Sequence, residues 1–269
     1  MLSSRELNII GILYLLIGLL ATIFGALAGL GGGVIIKPLL DFLGHYNVET
    51  ISVLSAATVF SMSAVSLLNS IKMDVKINVK TSLKLAIGSV VGGLIGKAIF
   101  NYIVKLIDAS DFVTAIQAIM IGLFMVAIYI FVKYRGKMKM YELQNSALIV
   151  SIGVVLGMIA AFLGIGGGPF NVAILAICFS MGVKESALNS IFIICFSQIS
   201  ALLLIAFTTG FSQFDLTMLF FMIPGGILGG FIGSRLARAI SDQLVEKIFM
   251  VGIIGIIFIN VFNVVRYFI

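Results

Sequence analysis

Two glycine runs are the strongest chemical signal in this sequence: ALAGLGGGVIIKPLL (Ala26–Leu40) and AAFLGIGGGPFNVAIL (Ala160–Leu175). Consecutive glycines interrupt a helix. In lipid an interruption leaves backbone N–H and C=O groups unpaired, at a cost of several kcal/mol per group unless protein or water satisfies them. Glycine-rich backbone leading into a helix also presents free N–H groups, backed by the partial positive charge of the helix N-terminus. Together these bind an anion without a buried full charge. Gly31, Gly32, Gly33, Gly166, Gly167 and Gly168 are therefore candidate substrate ligands. Pro169 suits a first helical turn, where its missing N–H is no loss, and Asn171 follows two residues on with an amide to donate. Lys37, near the first run, reads either as a counter-charge for the anion or as a snorkelling side chain. The competing reading of the glycines is close helix packing. That reading is preferred for Gly92, Gly93, Gly96, Gly226, Gly229, Gly230 and Gly233.

Further candidates lie in two apolar segments. Segment 52–71 carries Ser55, Thr58, Ser61 and Ser63; Ser55, Thr58 and Ser63 are spaced to share one helix face. Segment 187–208 carries Asn189, Ser190, Ser197 and Gln198. Ser190 and Ser197 share a face, whereas Asn189 and Gln198 do not. A hydroxyl can bond its own helix backbone. Asn and Gln are costlier in lipid and seek a cavity or another helix. Ser55, Thr58, Asn189, Ser190, Ser197 and Gln198 join the candidate site on this basis. No apolar segment has Asp or Glu at its centre, so a carboxylate proton relay at midplane is unsupported. No Ser/His pair, Asp pair or HExxH set appears in these segments, which argues against an intramembrane enzyme. No catalytic residue, cofactor or metal ligand set is expected. His45 falls in a polar connection flanked by Asp41 and Glu49, and Lys97 reads as snorkelling. Cys178 and Cys195 read as buried, inert thiols.

The elements that carry these residues are membrane helices. Of 269 residues 61% are hydrophobic and only 10% charged, against roughly 25% in soluble domains. Apolar runs of about 20 residues recur along the whole chain. The net charge of +6 sits in short connections, where positive-inside topology explains it without nucleic acid. The first apolar run lacks a cleavage signal and reads as a membrane helix. The expectation is one transmembrane domain over 1–269, multi-pass in the cell (inner) membrane.

The chain repeats itself. Gly29 matches Gly164, Gly33 matches Gly168, Val48 matches Val183 and Ser55 matches Ser190, each 135 positions apart. Ile87–Ile99 then resembles Ile223–Ala237 at an offset of 137. The repeats are about 1–140 and 141–269. Each offers five apolar segments: 8–28, 33–43, 52–71, 83–104 and 112–133, then 145–164, 169–181, 187–208, 217–238 and 245–266. Segments 33–43 and 169–181 are too short for a straight span, and read as tilted crossings or re-entrant half-helices. If they cross, the repeats are inverted. Twelve basic residues then gather on one side: Lys72, Lys76, Lys80, Lys84, Lys133, Arg135, Lys137, Lys139, Lys184, Arg235, Arg238 and Lys247. Arg5, Lys105 and Arg266 fall opposite. The positive-inside rule favours this arrangement. The fold class is thus an all-α integral membrane protein, with two inverted repeats of five helical segments, each with a glycine-broken helix pair, as in secondary transporters.

The paired GxGGG motifs, Pro38, the basic stretch SIKMDVKINVK (Ser70–Lys80) and the paired GG-x-x-G helices resemble the TauE/SafE family of sulfite and organosulfonate exporters. The resemblance covers nearly the whole chain. It implies export of a small sulfur-containing anion such as sulfite, thiosulfate or a sulfonate, coupled to a proton or sodium gradient. The chain departs from the family at Pro169, at Ala173 where the first repeat has Pro38, and in SVLSAATVFSMSAVS (Ser52–Ser66), which lacks a Gly-Thr-Ser run. These departures bear on which anion is carried. Small carboxylates, a channel or uniporter for small anions, and a non-transporting scaffold are the alternatives. The small residues on helix faces suit either internal packing or a homodimer.

Overall fold

A computed structural model of the chain describes residues 4–71, 77–107, 110–135 and 139–268. Ten helices occupy the described residues: α1 Ser4–Ala28, α2 Gly33–Leu43, α3 Val48–Ser70, α4 Val79–Ile107, α5 Ser110–Tyr134, α6 Ser146–Leu163, α7 Gly168–Phe179, α8 Val183–Phe207, α9 Leu219–Ala239 and α10 Asp242–Phe268. Eight are long and apolar enough to cross a membrane, and α2 and α7 are the short ones. Helices α3, α4 and α8 each begin four residues before their apolar segments. Their first turns are polar, and side chains cap α3 and α4: Asn47 Oδ1 accepts from the Thr50 N–H at 2.8 Å and Asn78 Oδ1 from the Thr81 N–H at 3.2 Å, and Glu49 sits in the positive first turn of α3.

Helix pairing crosses between the first five and the last five helices. Helix α1 packs most extensively on α9, and α6 on α4. Small residues make this closeness possible. A methyl group on Gly92 would collide with the Val154 carbonyl, one on Gly157 with the Ser89 carbonyl, and one on Gly229 with the Thr22 hydroxyl. Lipid tails are as apolar as leucine, so such close van der Waals packing, not apolar burial, joins membrane helices. Gly96, Gly226, Gly230 and Gly233 do the same, but Gly93 does not: nothing lies within 4 Å of where its Cβ would be. Gly93 is one residue round the helix from the α6 contact, and it faces open space.

Contacts also give direction. Gly18 lies by Met222, Thr22 by Gly229 and Ala26 by Gly233, so α1 and α9 run the same way. Gly88 lies by Val150, Gly92 by Val154 and Gly96 by Met158, so α4 and α6 do too. The short helices fold back. Along α2, Gly32 lies by Thr22 and the next connection brings His45 Nδ1 within 3.1 Å of the Tyr14 hydroxyl. Along α7, Gly167 lies by Ala160, while Ile177 and Cys178 accept from the Tyr141 and Leu143 amides at 2.8 and 2.9 Å, just before α6. Each short helix therefore returns to the end of the bundle where its predecessor began. We call these the His45 end and the Lys184 end.

Candidate functional site

The two glycine runs meet. Gly29, Gly31, Gly32, Gly164, Gly166 and Gly167 have φ between 68° and 81°, the left-handed region where a side chain is strained. Gly168 packs so closely on the Leu30 carbonyl that a methyl group would collide with it, and Gly33 faces the Ile165 carbonyl. Side chains satisfy carbonyls that the breaks expose. Ser190 Oγ donates to the Gly29 carbonyl at 2.7 Å and to the Gly168 carbonyl at 3.3 Å, tying one break to the other. Lys37 is 2% exposed; its Nζ donates to the Leu163 carbonyl at 2.9 Å and to Gln117 Oε1 at 2.8 Å. Gln117 Nε2 in turn donates to the Phe162 carbonyl at 2.6 Å. A lysine from α2 thus caps the C-terminus of α6, where positive charge meets the negative end of the helix dipole. Lys37 stays inside the bundle, with its Nζ behind Gly164 rather than among the residues lining the cavity beside it.

A cavity of about 130 Å³ opens beside the breaks, between α3, α4, α6 and α8. Its walls use the portions of α3, α4 and α8 nearest the His45 end, from Ser52, Lys97 and Ile205 inward. Its inner wall is Gly33, Gly164, Ile165 and Gly166, one stretch from each break. Five of the sequence candidates line it: Gly33, Ser55, Gly166, Ser197 and Gln198. Ser55 is 4% and Gln198 9% exposed, yet neither side chain bonds another described residue. Neither has a polar atom that is both fully buried and without a partner; their polar atoms open to the cavity, where a ligand or water can bond them. A Cβ on Gly166 would press on Gln198 Nε2 at 2.7 Å, so glycine keeps room for that amide. Ser197 Oγ pairs with Ser89 Oγ at 2.9 Å.

The other candidates lie outside this lining. Gly31 packs on Ile194, Gly32 on the Ala21 carbonyl and Gly167 on Ala160. Thr58 donates to the Leu54 carbonyl at 2.7 Å and turns its methyl toward Gly226. Asn189 Oδ1 accepts from the Asn78 N–H at 2.9 Å and from Ser82 Oγ at 2.6 Å, pinning the start of α4 to α8. Asn171 is buried beside Gly167 on α7. Gly168 and Ser190 sit where the breaks touch. The structure adds lining residues that sequence reasoning missed: Ser52, Ser89, Gly93, Lys97 and Ser200. A signal for three of them existed, because Ser89, Gly93 and Lys97 recur every four residues on one face of α4.

A second, much smaller cavity of about 20 Å³ lies between α1, α3, α8 and α9 toward the Lys184 end. Its lining residues Ala26, Ala187 and Ser234 match Ala161, Ser52 and Lys97 of the large cavity at the repeat offsets. It is drawn shut. Ser66 Oγ donates to the Gly230 carbonyl at 3.3 Å, Asn69 Nδ2 to Ser234 Oγ at 3.0 Å, and Lys184 pairs with Asp242 at 3.5 Å. At the opposite end, burial and then the nearby Asp215 carboxylate hold the Tyr46 phenol above its usual pKa.

A model of the sulfite exporter TauE/SafE family matches residues 14–259. The chain belongs to the TauE/SafE family. It is also 22% identical over 265 residues to a probable membrane transporter protein, YunE, of Bacillus subtilis (strain 168), covering 90% of this chain and 94% of that one. No solved structure matches. This TauE/SafE protein is a multi-pass membrane transporter, with eight helices among the described residues suited to span a membrane. Its setting in a cell membrane, the inner one included, agrees with both findings.

Proposed function

We propose that this TauE/SafE protein is a secondary transporter that exports a small sulfur-containing oxyanion, such as sulfite, thiosulfate or a sulfonate. The anion occupies the cavity where the glycine breaks meet. The observation that carries this reading is the pair of buried, unbonded side chains, Ser55 and Gln198, facing that cavity beside Gly33 at the start of α2. A hydroxyl and a carboxamide are donors an oxyanion can use, while the Gly33 N–H is already bonded to the Gly31 carbonyl at 2.9 Å.

The transport cycle follows from treating residues 1–140 and 141–269 as inverted repeats of one domain. The crossed packing of α1 on α9 and α6 on α4, and the return of α2 and α7 to opposite ends, support that reading. The Lys184 end carries Lys80, Lys84, Lys133, Arg135, Lys139, Arg235, Arg238 and Lys247 at or near helix termini. Lys72, Lys76 and Lys137 lie outside the described residues, as do the side chains of Arg5 and Lys105. The positive-inside rule makes the Lys184 end cytoplasmic. The large cavity then faces outward and its small counterpart is the closed cytoplasmic path. Rocking one repeat against the other exchanges their roles, driven by a proton or sodium gradient.

The test is a thermal-shift panel on the detergent-purified chain with sulfite, thiosulfate, sulfate, small sulfonates and small carboxylates, and with chloride as control. A ligand that binds only the folded state raises apparent stability by mass action. A shift with a sulfur anion, lost in Gly93→Leu, is the expected result. Gly93 serves better here than Gly32 or Gly167, whose φ of 71° and 78° would make valine a test of folding as well as of binding. A shift with carboxylates alone would reassign the substrate.

A further inference from the structure

Lys97 is the one charged side chain lining the large cavity among the described residues. It follows Ser89 and Gly93 along the cavity face of α4, while Gly92 and Gly96 turn their faces to α6. Among the described residues its ammonium makes no hydrogen bond or ion pair; the nearest partner is the Phe100 ring, 5.3 Å from Nζ to centroid. Two charges act on it from other helices, the Glu49 carboxylate of α3 and the Lys37 ammonium of α2. Lys37 is committed to Leu163 and Gln117, and Glu49 is exposed at the start of α3. An intramembrane cation left without a bonded partner is costly, and such residues mark ion pathways.

We infer that Lys97 sets the charge selectivity of this cavity by pairing its ammonium with the anionic oxygens of the bound substrate. The inference rests on the substrate reading above and deepens it. Serine hydroxyls and the Gln198 amide can also serve a neutral sulfone or amide, so they do not by themselves select for charge. Lys97 does. Its flexible stem and three donors let it follow an oxyanion that a fixed backbone N–H cannot. The geometry reverses the expected roles of the two lysines: Lys37, the candidate counter-charge, neutralises a helix end, and Lys97, expected to snorkel, faces the cavity.

Two probes of nearly one shape separate charge from fit: ethanesulfonate, and ethyl methyl sulfone, which is neutral. Their apparent affinities for the detergent-purified full chain are compared in the wild type, Lys97→Gln and Lys97→Arg. The wild type should prefer the sulfonate. In Lys97→Gln the sulfonate should weaken about 10- to 100-fold, the range for losing a hydrogen bond to a charged group, and fall to the level of the sulfone. Lys97→Arg should keep the preference. If both probes weaken equally in Lys97→Gln, Lys97 shapes the cavity without reading charge, and the inference is overturned. An unchanged preference in Lys97→Gln overturns it too, while leaving the anion site standing. If the wild type binds no anion of the wider panel, the site reading itself falls and this inference with it.

Discussion

The two cavities of this protein are built from matching residues, but one is about 130 Å³ and the other about 20 Å³. The most telling pair of matching residues is Ser55, which lines the large cavity, and Ser190, 135 positions on, which lies where the breaks touch. Ser190 ties the Gly29 and Gly168 carbonyls together, whereas Ser55 faces the open cavity with no bonded partner among the described residues. Equivalent hydroxyls thus have different duties, one holding the breaks closed and the other left for a ligand. Helices at matching places in the two halves pack differently here, and what each hydroxyl meets decides which carbonyls are bonded. If the halves are inverted repeats, as proposed above, this difference in packing is what alternating access would exchange between them.

The largest expected effect comes from filling the open cavity. Gly93→Leu should abolish ligand-induced stabilisation while leaving the unliganded melting temperature nearly unchanged, because its Cβ meets nothing within 4 Å. Binding that persists in this variant would place the ligand elsewhere. At the junction of the breaks, Gly168→Ala should destabilise at the upper end of the ~1–3 kcal/mol typical of overpacking, because the Leu30 carbonyl is backbone and cannot step aside. Thermal unfolding in detergent measures this, and a neutral result would mean that the breaks separate easily. Gln117→Leu should cost about 1–3 kcal/mol by stripping a partner from Lys37 and from the Phe162 carbonyl.

A smaller effect tests the comparison directly. Ser190→Ala should cost about 1 kcal/mol of stability, one net hydrogen bond, whereas Ser55→Ala should leave stability alone and weaken anion binding. Equal behaviour of the two would remove the asymmetry of duty. The smallest effect is at the closed end. Lys184→Gln should change stability by less than about 1 kcal/mol, since Asp242 is 62% exposed and surface ion pairs contribute little. It should nonetheless speed cysteine labelling at Ser234→Cys from the side of the Lys184 end, in a chain with Cys178 and Cys195 replaced.

Much of the architecture is readable in the sequence because lipid makes composition decisive. Apolar length marks the helices, and the repeat offset pairs them. The glycine runs are legible as breaks, since nothing else in a helix asks for left-handed backbone three times over. The site is legible only in part. Gly33, Ser55, Gly166, Ser197 and Gln198 are polar or glycine residues in apolar segments, and they reach the cavity. Thr58, Asn189 and Ser190 carry the same local signal but bond backbone or neighbouring helices instead. A polar residue in a membrane helix announces that it needs a partner; it does not announce which.

Composition and spacing alone mark this as a helical membrane protein, show where its helices break and show that its glycine motif recurs 135 positions on, because hydropathy, glycine conformation and repetition are read along the chain. Helix packing is what sets Lys37 as the cap of α6 while Lys97 faces the cavity, opens space at Gly93 while closing it at Gly92, and leaves one of two matching serines without a bonded partner among the described residues. Those choices depend on which helix lies across from each residue, and the spacing of residues along one helix carries no record of its neighbour.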